Sequence, residues 1–474
     1  MVSFTWRTEL IMLQFCHKFV KITLIKFYGG FMGNNASIEN VYKLNGAVPI
    51  SAAIPFGLQH VLAMFVSNVT PIILVAGVAQ VAGGPMSAEL TATLIQNCMF
   101  IAGIASLIQV VGIGPVGSKL PVIMGISFTF LAAMMAAAGV DYNLAMGGVI
   151  VGGCVEGVLG LTYKYWKGIV TPIVSACVVC GIGLSLFTVG ANSFGGGGTF
   201  MEDFGAPKYW IVGSVTLATC IIWSVVAKGP IRALSALMGL IVGYIVAIPF
   251  GLVDFSQIMS RGVVAFPRPF ATGLPQFNPG VIISFIVVFL VSATETIGDT
   301  TALCQGGLDR DITVEETSGS LACDGFASAI AGVFSCSPIT SFSQNVGLCA
   351  MTKVVNRFAV GTGAVILIIA GFLPPLAGFF QTIPQPVLGG CTLMMFGQIL
   401  VAGMQMIQRA GFTERNMTIA ALSIVIGGGF TTSNQIFQYM PQIIQEIFAA
   451  NIVAVIFVVA VVLNLILPEK MGND

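Results

Sequence analysis

The chain has 474 residues, of which 56% are hydrophobic and only 8% are charged, whereas soluble domains carry roughly 25% charged residues. One soluble core cannot hide this much apolar surface, so lipid must be the solvent for most of it, and the composition indicates a polytopic membrane protein. The formal net charge is zero, which argues against a nucleic-acid partner.

The N-terminal segment, residues 1–44, differs from the rest of the chain. Residues 1–31 scatter basic residues through an apolar stretch and offer no small-residue cleavage site, so they make a poor signal peptide. We expect Met32 to be the true start, because Gly29-Gly30-Phe31-Met32 is what a read-through ribosome-binding site followed by a start codon encodes. The alternative is an interfacial amphipathic anchor.

Apolar runs of bilayer-crossing length recur after this segment and predict an all-α fold with fourteen transmembrane segments. The approximate spans are 52–80, 93–113, 118–137, 145–163, 169–189, 209–227, 231–252, 279–303, 320–333, 338–352, 357–380, 386–407, 414–430 and 448–468. With a cytoplasmic N-terminus, nine basic loop residues fall on the inner side: Lys164, Lys167, Lys228, Arg232, Arg310, Lys353, Arg357, Arg409 and Arg415. Only Lys208, Arg261 and Arg268 fall on the outer side, which agrees with the positive-inside rule and an even count.

The Pro- and Gly-rich stretch 253–280 divides the spans into two sets of seven, which predicts an inverted repeat. Two short broken segments, at about 118–137 and 335–352, hold matching places in the halves. Both contain Ser-x-x-Pro followed by a polar or small residue, Ser127 in the first and Gln344 in the second. Irregular backbone at membrane depth is tolerated where it is buried in protein or lines a cavity, so we predict a ligand site between the segments. Phe128 and Gln344 should flank it.

Charged residues within the spans are the next candidates. Glu295 and Asp299 are four residues apart, on one face of a helix. Each costs roughly 2.5–3.5 kcal/mol at the centre of a membrane helix, so both must face a cavity or partners. Neighbouring carboxylates in low dielectric do not both ionise readily. A proton-coupled carrier needs such a group; the alternative is a structural hydrogen-bonding pair.

Three further polar residues within the spans leave their roles open. Asp324 either relays protons or fastens two helices together. His60 is a packing residue or part of the site, and Glu156 is interpreted as an interhelix hydrogen bonder. Only two histidines are present, and no His/Cys cluster forms a metal site. The eleven cysteines lie singly in apolar runs, with Cys177 and Cys180 inside one of them. We therefore expect no metal site, no cofactor and no catalytic centre.

The second broken segment carries a motif that resembles a known family. The stretch "QNVGLCAMTK" at 344–353 matches the signature of the nucleobase–ascorbate transporters, [Q/E/P]-N-x-G-x-x-x-x-T-[R/K/G]. Its fixed positions are Gln344, Asn345, Gly347, Thr352 and Lys353. "ETIGDTTA" resembles the acidic motif of the family, and "QHVLAMFVSNVTP" resembles its first-span His motif. The likeness extends from about residue 45 to 468.

The resemblance implies a homodimer in which a core domain moves like an elevator against a gate domain. The core would comprise residues 45–165 and 279–380, and the gate residues 166–278 and 381–474. It also implies residue roles. Glu295 and Gln344 would bind a base through their side chains, the backbones of Phe128 and Ser343 would complete the site, and Asp299, Asp324, Asn345 and His60 would serve transport.

The same resemblance points to the substrate. Uracil carriers of the family usually have Glu at the position of Gln344 and commonly His at that of Asp299, whereas xanthine and urate carriers have Gln and Asp. A Gln amide offers a donor and an acceptor, which match the adjacent C=O and N–H of an oxidised purine. Ser127 stands where many xanthine-selective members have Asn, so urate stays open as a substrate.

We therefore expect a proton-coupled importer of xanthine or uric acid in the plasma membrane of a bacterium, in contact with lipid. The alternatives are a uracil or broad-range nucleobase permease and, more distantly, an anion carrier of the sulfate-transporter architecture. A membrane enzyme is disfavoured because no nucleophile–base pair is present.

Overall fold

The computed structural model describes residue 23 and residues 36–167, 171–197, 202–255, 262–449 and 451–468. The expected start at Met32 and the basic residue Arg261 lie outside these ranges. The described chain is mostly helical, with four short strands. The helices of the first half are α1 Ile50–Ala76, α2 Ala88–Val111, α3 Leu131–Ala138, α4 Tyr142–Leu161, α5 Tyr163–Trp166, α6 Pro172–Ser185, α7 Phe187–Phe194, α8 Pro207–Val226 and α9 Ser235–Ala247.

The second half begins at a long helix and contains nine described helices. They are α10 Pro279–Gly307, α11 Val314–Val333, α12 Ser343–Thr352, α13 Arg357–Ala370, α14 Pro374–Gln381, α15 Gln385–Ala410, α16 Glu414–Thr432, α17 Gln442–Phe448 and α18 Ile452–Ile466. The strands are β1 Gln80–Val81, β2 Gly84–Pro85, β3 Met124–Ile126 and β4 Ile339–Ser341. β1 pairs with β2 and β3 pairs with β4, both antiparallel.

Within the described residues, seven helices are long and apolar enough to cross a membrane, or eight if one bent pair counts as a single crossing. This confirms a polytopic membrane protein, whereas the count of fourteen crossings stays a prediction. The predicted span 357–380 is not one straight helix. It bends by 86° between α13 and α14, because Leu373 precedes Pro374 and a residue before proline avoids helical backbone.

The helices pack in two groups. In one group α4 lies against α10 and α11, and α13 lies against α1 and α2. In the other group α15 contacts α6, α7 and α8, while α16 packs on α18 and α9 on α8. Contacts between the groups are fewer and include α1 and α12 against the turn Gly229–Leu234, which precedes α9. A cleft between two separately packed groups is a common place for a ligand site.

Glycines allow α4 and α11 to pack backbone against backbone. An ideal Cβ on Gly325 would lie 2.1 Å from the amide nitrogen of Gly157 and 2.6 Å from the carbonyl oxygen of Gly153. Contacts this short to backbone atoms cannot be relieved by a rotamer change. The two helices therefore approach as closely as helices can, which is typical of membrane proteins with small residues at the interface.

Replacing Gly325 with Ala should lower the stability of the protein, because the added methyl group would force α4 and α11 apart. Overpacking of this kind costs about 1–3 kcal/mol. We expect a clearly lower melting temperature in detergent than for the wild type. Gly429→Ala in α16 is the matched control, since nothing lies within 4 Å of the Cβ that it adds. Equal melting temperatures for the two variants would contradict the close packing.

Candidate functional site

The two broken segments meet as a pair of short strands. In place of continuous helices, each segment has a strand followed by a short helix. β3 and β4 pair with Met124 opposite Ser341 and Ile126 opposite Ile339. Just beyond the pair, the amide of Ser127 donates to the carbonyl oxygen of Pro338 at 3.1 Å. These bonds satisfy backbone N–H and C=O groups that would have no partner in hydrocarbon. The paired segments are therefore stable inside the protein.

A helical turn begins at the end of each strand. Phe128–Phe130 forms a 3-10 turn that leads into α3, and the hydroxyl of Ser127 accepts from the amide of Thr129 at 3.3 Å. α12 begins at Ser343 after Phe342, which supplies no capping side chain. The first N–H groups of a helix have no acceptor within it, so this end of α12 presents donors and the positive end of a helix dipole.

Two carboxylates of α10 contact the paired segments, one carboxylate at each segment. Glu295 Oε2 accepts from the hydroxyl of Thr129 at 2.6 Å, next to β3. Asp299 Oδ2 accepts from the hydroxyl of Ser341 at 2.8 Å, at the end of β4. Asp299 is buried, whereas Glu295 is partly exposed. α10 therefore places both predicted carboxylates against the paired segments.

Asp324 of α11 belongs to the same hydrogen-bond network around Ser341. Its Oδ2 accepts from the hydroxyl of Thr296 and from the backbone amide of Ser341, the latter at 3.3 Å. The residue is 0% exposed, and its Oδ1 has no hydrogen-bond partner among the described residues. Asp324 thus fastens α11 to α10 and β4, which is one of the two roles that the sequence left open.

His60 and Asn345 connect α1 to α12. The amide nitrogen of Asn345 donates to the backbone carbonyl oxygen of His60 at 3.1 Å and lies 2.9 Å from His60 Nδ1. Because an amide NH₂ can only donate, Nδ1 is the acceptor and the ring proton lies on Nε2. Both side chains are buried. These contacts tie α1 to the second broken segment.

Gln344, half-buried in the first turn of α12, lines a cavity between the two packing groups. The cavity is lined by Ala63, Ser67, Ala233, Ser235, Ala236, Gln344, Cys391, Met394, Met395 and Gln398. Gln398 is a polar residue that the sequence analysis did not single out, although an amide within the apolar run "CTLMMFGQIL" is a detectable signal. Two amide side chains from opposite walls therefore face one cavity.

The other predicted ligand residues do not line this cavity. Phe128 is buried and packs edge-to-face on Phe396, with ring centroids 5.2 Å apart. Ser127 is buried beside it, whereas Ser343 is exposed at the start of α12. Of the predicted substrate-binding set, Gln344 is the member that lines the described cavity.

The second half of the motif, Gly347 to Lys353, forms the C-terminal part of α12 and ends the helix. Gly347 is exposed, with nothing within 4 Å of the position a Cβ would take. The hydroxyl of Thr352 donates to the carbonyl oxygen of Leu348 at 2.8 Å and accepts from the amide of Val354 at 3.2 Å. Lys353 then ends the helix in a left-handed conformation with φ of 58°. These contacts give Thr352 a structural role at the helix end.

Comparison with known proteins agrees with this architecture and motif. A family model described as "Permease family" matches residues 51–436. The chain is 33% identical to xanthine permease XanP of Escherichia coli K12 over 448 residues, covering 91% of this chain and 95% of the relative. The chain belongs to the nucleobase–ascorbate transporter family. It is therefore a transporter and a multi-pass protein of a bacterial plasma membrane.

Other relatives and solved structures extend the comparison. Xanthine permease XanQ of Escherichia coli K12 is 33% identical over 452 residues, covering 92% of this chain and 95% of the relative. The xanthine permease of Bacillus subtilis 168 is 32% identical over 414 residues, covering 86% and 92%. The transporter shares its fold with the transmembrane domain of the cyanobacterial bicarbonate transporter BicA, at a TM-score of 0.54 and 14% identity, covering 88% of this chain and 97% of that one. SLC26A9 gives a TM-score of 0.56 at 10% identity, covering 93% and 69%.

Proposed function

We propose that the protein is a proton-coupled symporter that imports an oxidised purine, xanthine or uric acid or both. The observation that carries the proposal is Gln344 in the cavity between the two packing groups. Its amide offers one donor and one acceptor, which match the neighbouring C=O and N–H groups of an oxidised purine. The relatives named xanthine permease support the same substrate class.

The network around the paired strands supports proton coupling. Asp299 and Asp324 share one set of hydrogen bonds with Thr296 and Ser341, and Glu295 accepts from Thr129 beside the other paired strand. Intramembrane carboxylates are typical of proton pathways in transporters. We propose that Glu295 binds both the base and the proton, since it is partly exposed, while Asp299 and Asp324 hold the network in place.

The remaining residues complete the proposed site. Ser343 and Phe128 would present backbone amides to the base, and the Phe128 ring would offer it an apolar face. Ser127 would leave space beside the base, which favours admission of uric acid as well as xanthine. His60 and Asn345 would set the position of α12 and through it that of Gln344.

We further propose fourteen crossings in two inverted repeats, a homodimer and elevator-type movement. The moving core would be residues 45–165 with 279–380, and the gate 166–278 with 381–474. The two packing groups and the antiparallel pairing of β3 with β4 support this arrangement, because strands from two inverted halves would meet in opposite directions. The paired strands and Gln344 would then move with the core past the gate.

The proposal is tested by uptake of labelled xanthine, urate and uracil in cells that lack their own carriers, with and without a proton uncoupler. We expect accumulation of xanthine, urate or both that collapses with the uncoupler. Uracil uptake that purines do not inhibit would overturn the substrate class in favour of a uracil permease. Uptake that survives the uncoupler and requires sodium would overturn the proton coupling.

A further inference from the structure

Glu156 of α4 is a buried carboxyl group that the proposed mechanism does not yet use. The residue is 1% exposed, and neither side-chain oxygen has a hydrogen-bond partner among the described residues. An ionised carboxylate with no partner in an apolar interior is strongly unfavourable. The side chain therefore holds a proton in this state.

The groups that face Glu156 are acids. α4 packs on α10, α11, α3 and β1. Asp324 of α11 and Glu295 of α10 lie close enough for their charges to interact with Glu156, and Asp299 follows one turn further along α10. Cys323 of α11 donates its thiol to a carbonyl oxygen of α2 instead. α3 and β1 contain no titratable side chain, so no described cation on these elements is available to Glu156.

Glu156 and Asp324 stand next to a close contact between their helices. The residue after each is a glycine, and an ideal Cβ on Gly325 would lie 2.1 Å from the amide nitrogen of Gly157. The unpaired atoms are complementary. Among the residues that the structure describes, a protonated Glu156 has an O–H without an acceptor, and Asp324 Oδ1 is an acceptor without a donor. One proton between the two carboxyl groups would satisfy both.

The other oxygen of Asp324 leads towards the candidate site. Oδ2 accepts from Thr296 and from the amide of Ser341. The hydroxyl of Ser341 then donates to Asp299 at 2.8 Å. A change of charge on Asp324 is therefore transmitted by direct hydrogen bonds to β4 and to α10, which carries Glu295.

We propose that Glu156 is a proton-binding site of the transport cycle and exchanges its proton with Asp324. In the transfer the O–H bond of Glu156 breaks and an O–H bond forms on Asp324 Oδ1. Glu156 becomes the carboxylate, and the pair keeps one proton and one negative charge. Because the charge then leaves Asp324, whose Oδ2 accepts from Thr296 and Ser341, the hydrogen bonds that hold the paired strands change with it. The inference rests on the proposed proton-coupled transport.

The test compares Glu156→Gln with the wild type in proteoliposomes at zero membrane potential. A pH difference of about one unit should sustain an about tenfold xanthine gradient in the wild type at one proton per base. The Gln variant should sustain almost none, while xanthine counterflow without a pH difference continues. Glu315→Gln, an exposed position in α11, is the matched control and should accumulate as the wild type does. Replacing sodium with a large organic cation should change neither result.

Each other outcome is informative. Full accumulation by Glu156→Gln would overturn the inference, and so would restoration of its accumulation by a sodium gradient. Failure of the wild type in counterflow would instead overturn the proposed function. If the variant does not fold, the infrared spectrum of ¹³C-glutamate-labelled Glu295→Gln protein decides. It should show a protonated glutamic acid band at neutral pH that disappears reversibly as the pH rises, and a missing or unchanging band would contradict the proposal.

Discussion

Replacing Glu295 with Gln is expected to abolish proton-driven accumulation of purine. The carboxylate lies 2.6 Å from the Thr129 hydroxyl, against the first paired segment, and is partly exposed. An amide keeps the shape and still accepts from Thr129, yet it can neither take up a proton nor bear the charge that accepts from ring N–H groups. The ratio of internal to external xanthine should therefore fall to about one.

The measurement is uptake of labelled xanthine into energised cells, normalised to the amount of protein in the membrane. Thr129→Val is the paired variant, because it removes the hydroxyl from Glu295 and leaves the carboxyl in place. It should weaken transport without abolishing accumulation. A Glu295→Gln protein that accumulates xanthine like the wild type would remove Glu295 from the mechanism.

At position 344 we expect xanthine affinity to depend on the chemistry of the side chain rather than on its size. Gln344→Glu retains the length of the side chain and loses its N–H donor, so a C=O of the base would face a carboxylate. Leaving polar groups unpaired in a buried site costs about 1–3 kcal/mol, which corresponds to an about 5- to 150-fold loss of xanthine affinity. Gln344→Asn retains both groups on a shorter side chain and should lose much less.

Competition of unlabelled xanthine against labelled xanthine uptake measures these affinities. Gln398→Glu is the matched control, because Gln398 faces the same cavity from the opposite wall. If a negative charge anywhere in the cavity were sufficient to exclude the base, the two Glu variants would be equally impaired. Equal losses for Gln344→Glu and Gln344→Asn would show that the side chain does not recognise the purine.

Local sequence features predicted that the two broken segments would meet. Ser-x-x-Pro at 118–121 and 335–338 indicated that helix could not continue there, and the halves had to bring such segments together if they were inverted repeats. The pairing itself was not predicted. Each strand is three residues long, which is too short for a period-two pattern, and its partner lies more than two hundred residues away in the chain.

The acidic residues of the site could be predicted from the sequence because of their cost in a membrane. Acidic residues within apolar runs are costly, so Glu295, Asp299 and Asp324 were visible without any structure. Their partners were not, because Thr129, Thr296 and Ser341 are ordinary polar residues whose roles depend on which helices are neighbours. Glu156 was visible for the same reason as the other acids, yet the sequence suggested a hydrogen-bonding role. Only the packing revealed that its oxygens have no hydrogen-bond partner in the described part of the chain.

The far wall of the cavity was the part that the sequence analysis missed. Gln398 lies in α15, a helix whose other residues gave no reason to expect a ligand. Its relevance depends on the contact between the two packing groups, which only the tertiary structure reveals. The bend between α13 and α14 was missed because hydropathy is averaged over a window and does not register two prolines within an apolar run.

In the proposed mechanism one protein moves an oxidised purine and protons together. The most direct measurement uses purified protein in liposomes that contain a pH-sensitive dye, with no initial pH difference and the membrane potential held at zero. Adding xanthine outside should acidify the lumen, and the acidification should be absent with Glu295→Gln and unaffected by sodium. Xanthine entry without any change in luminal pH, or acidification that occurs only with sodium present, would contradict the account.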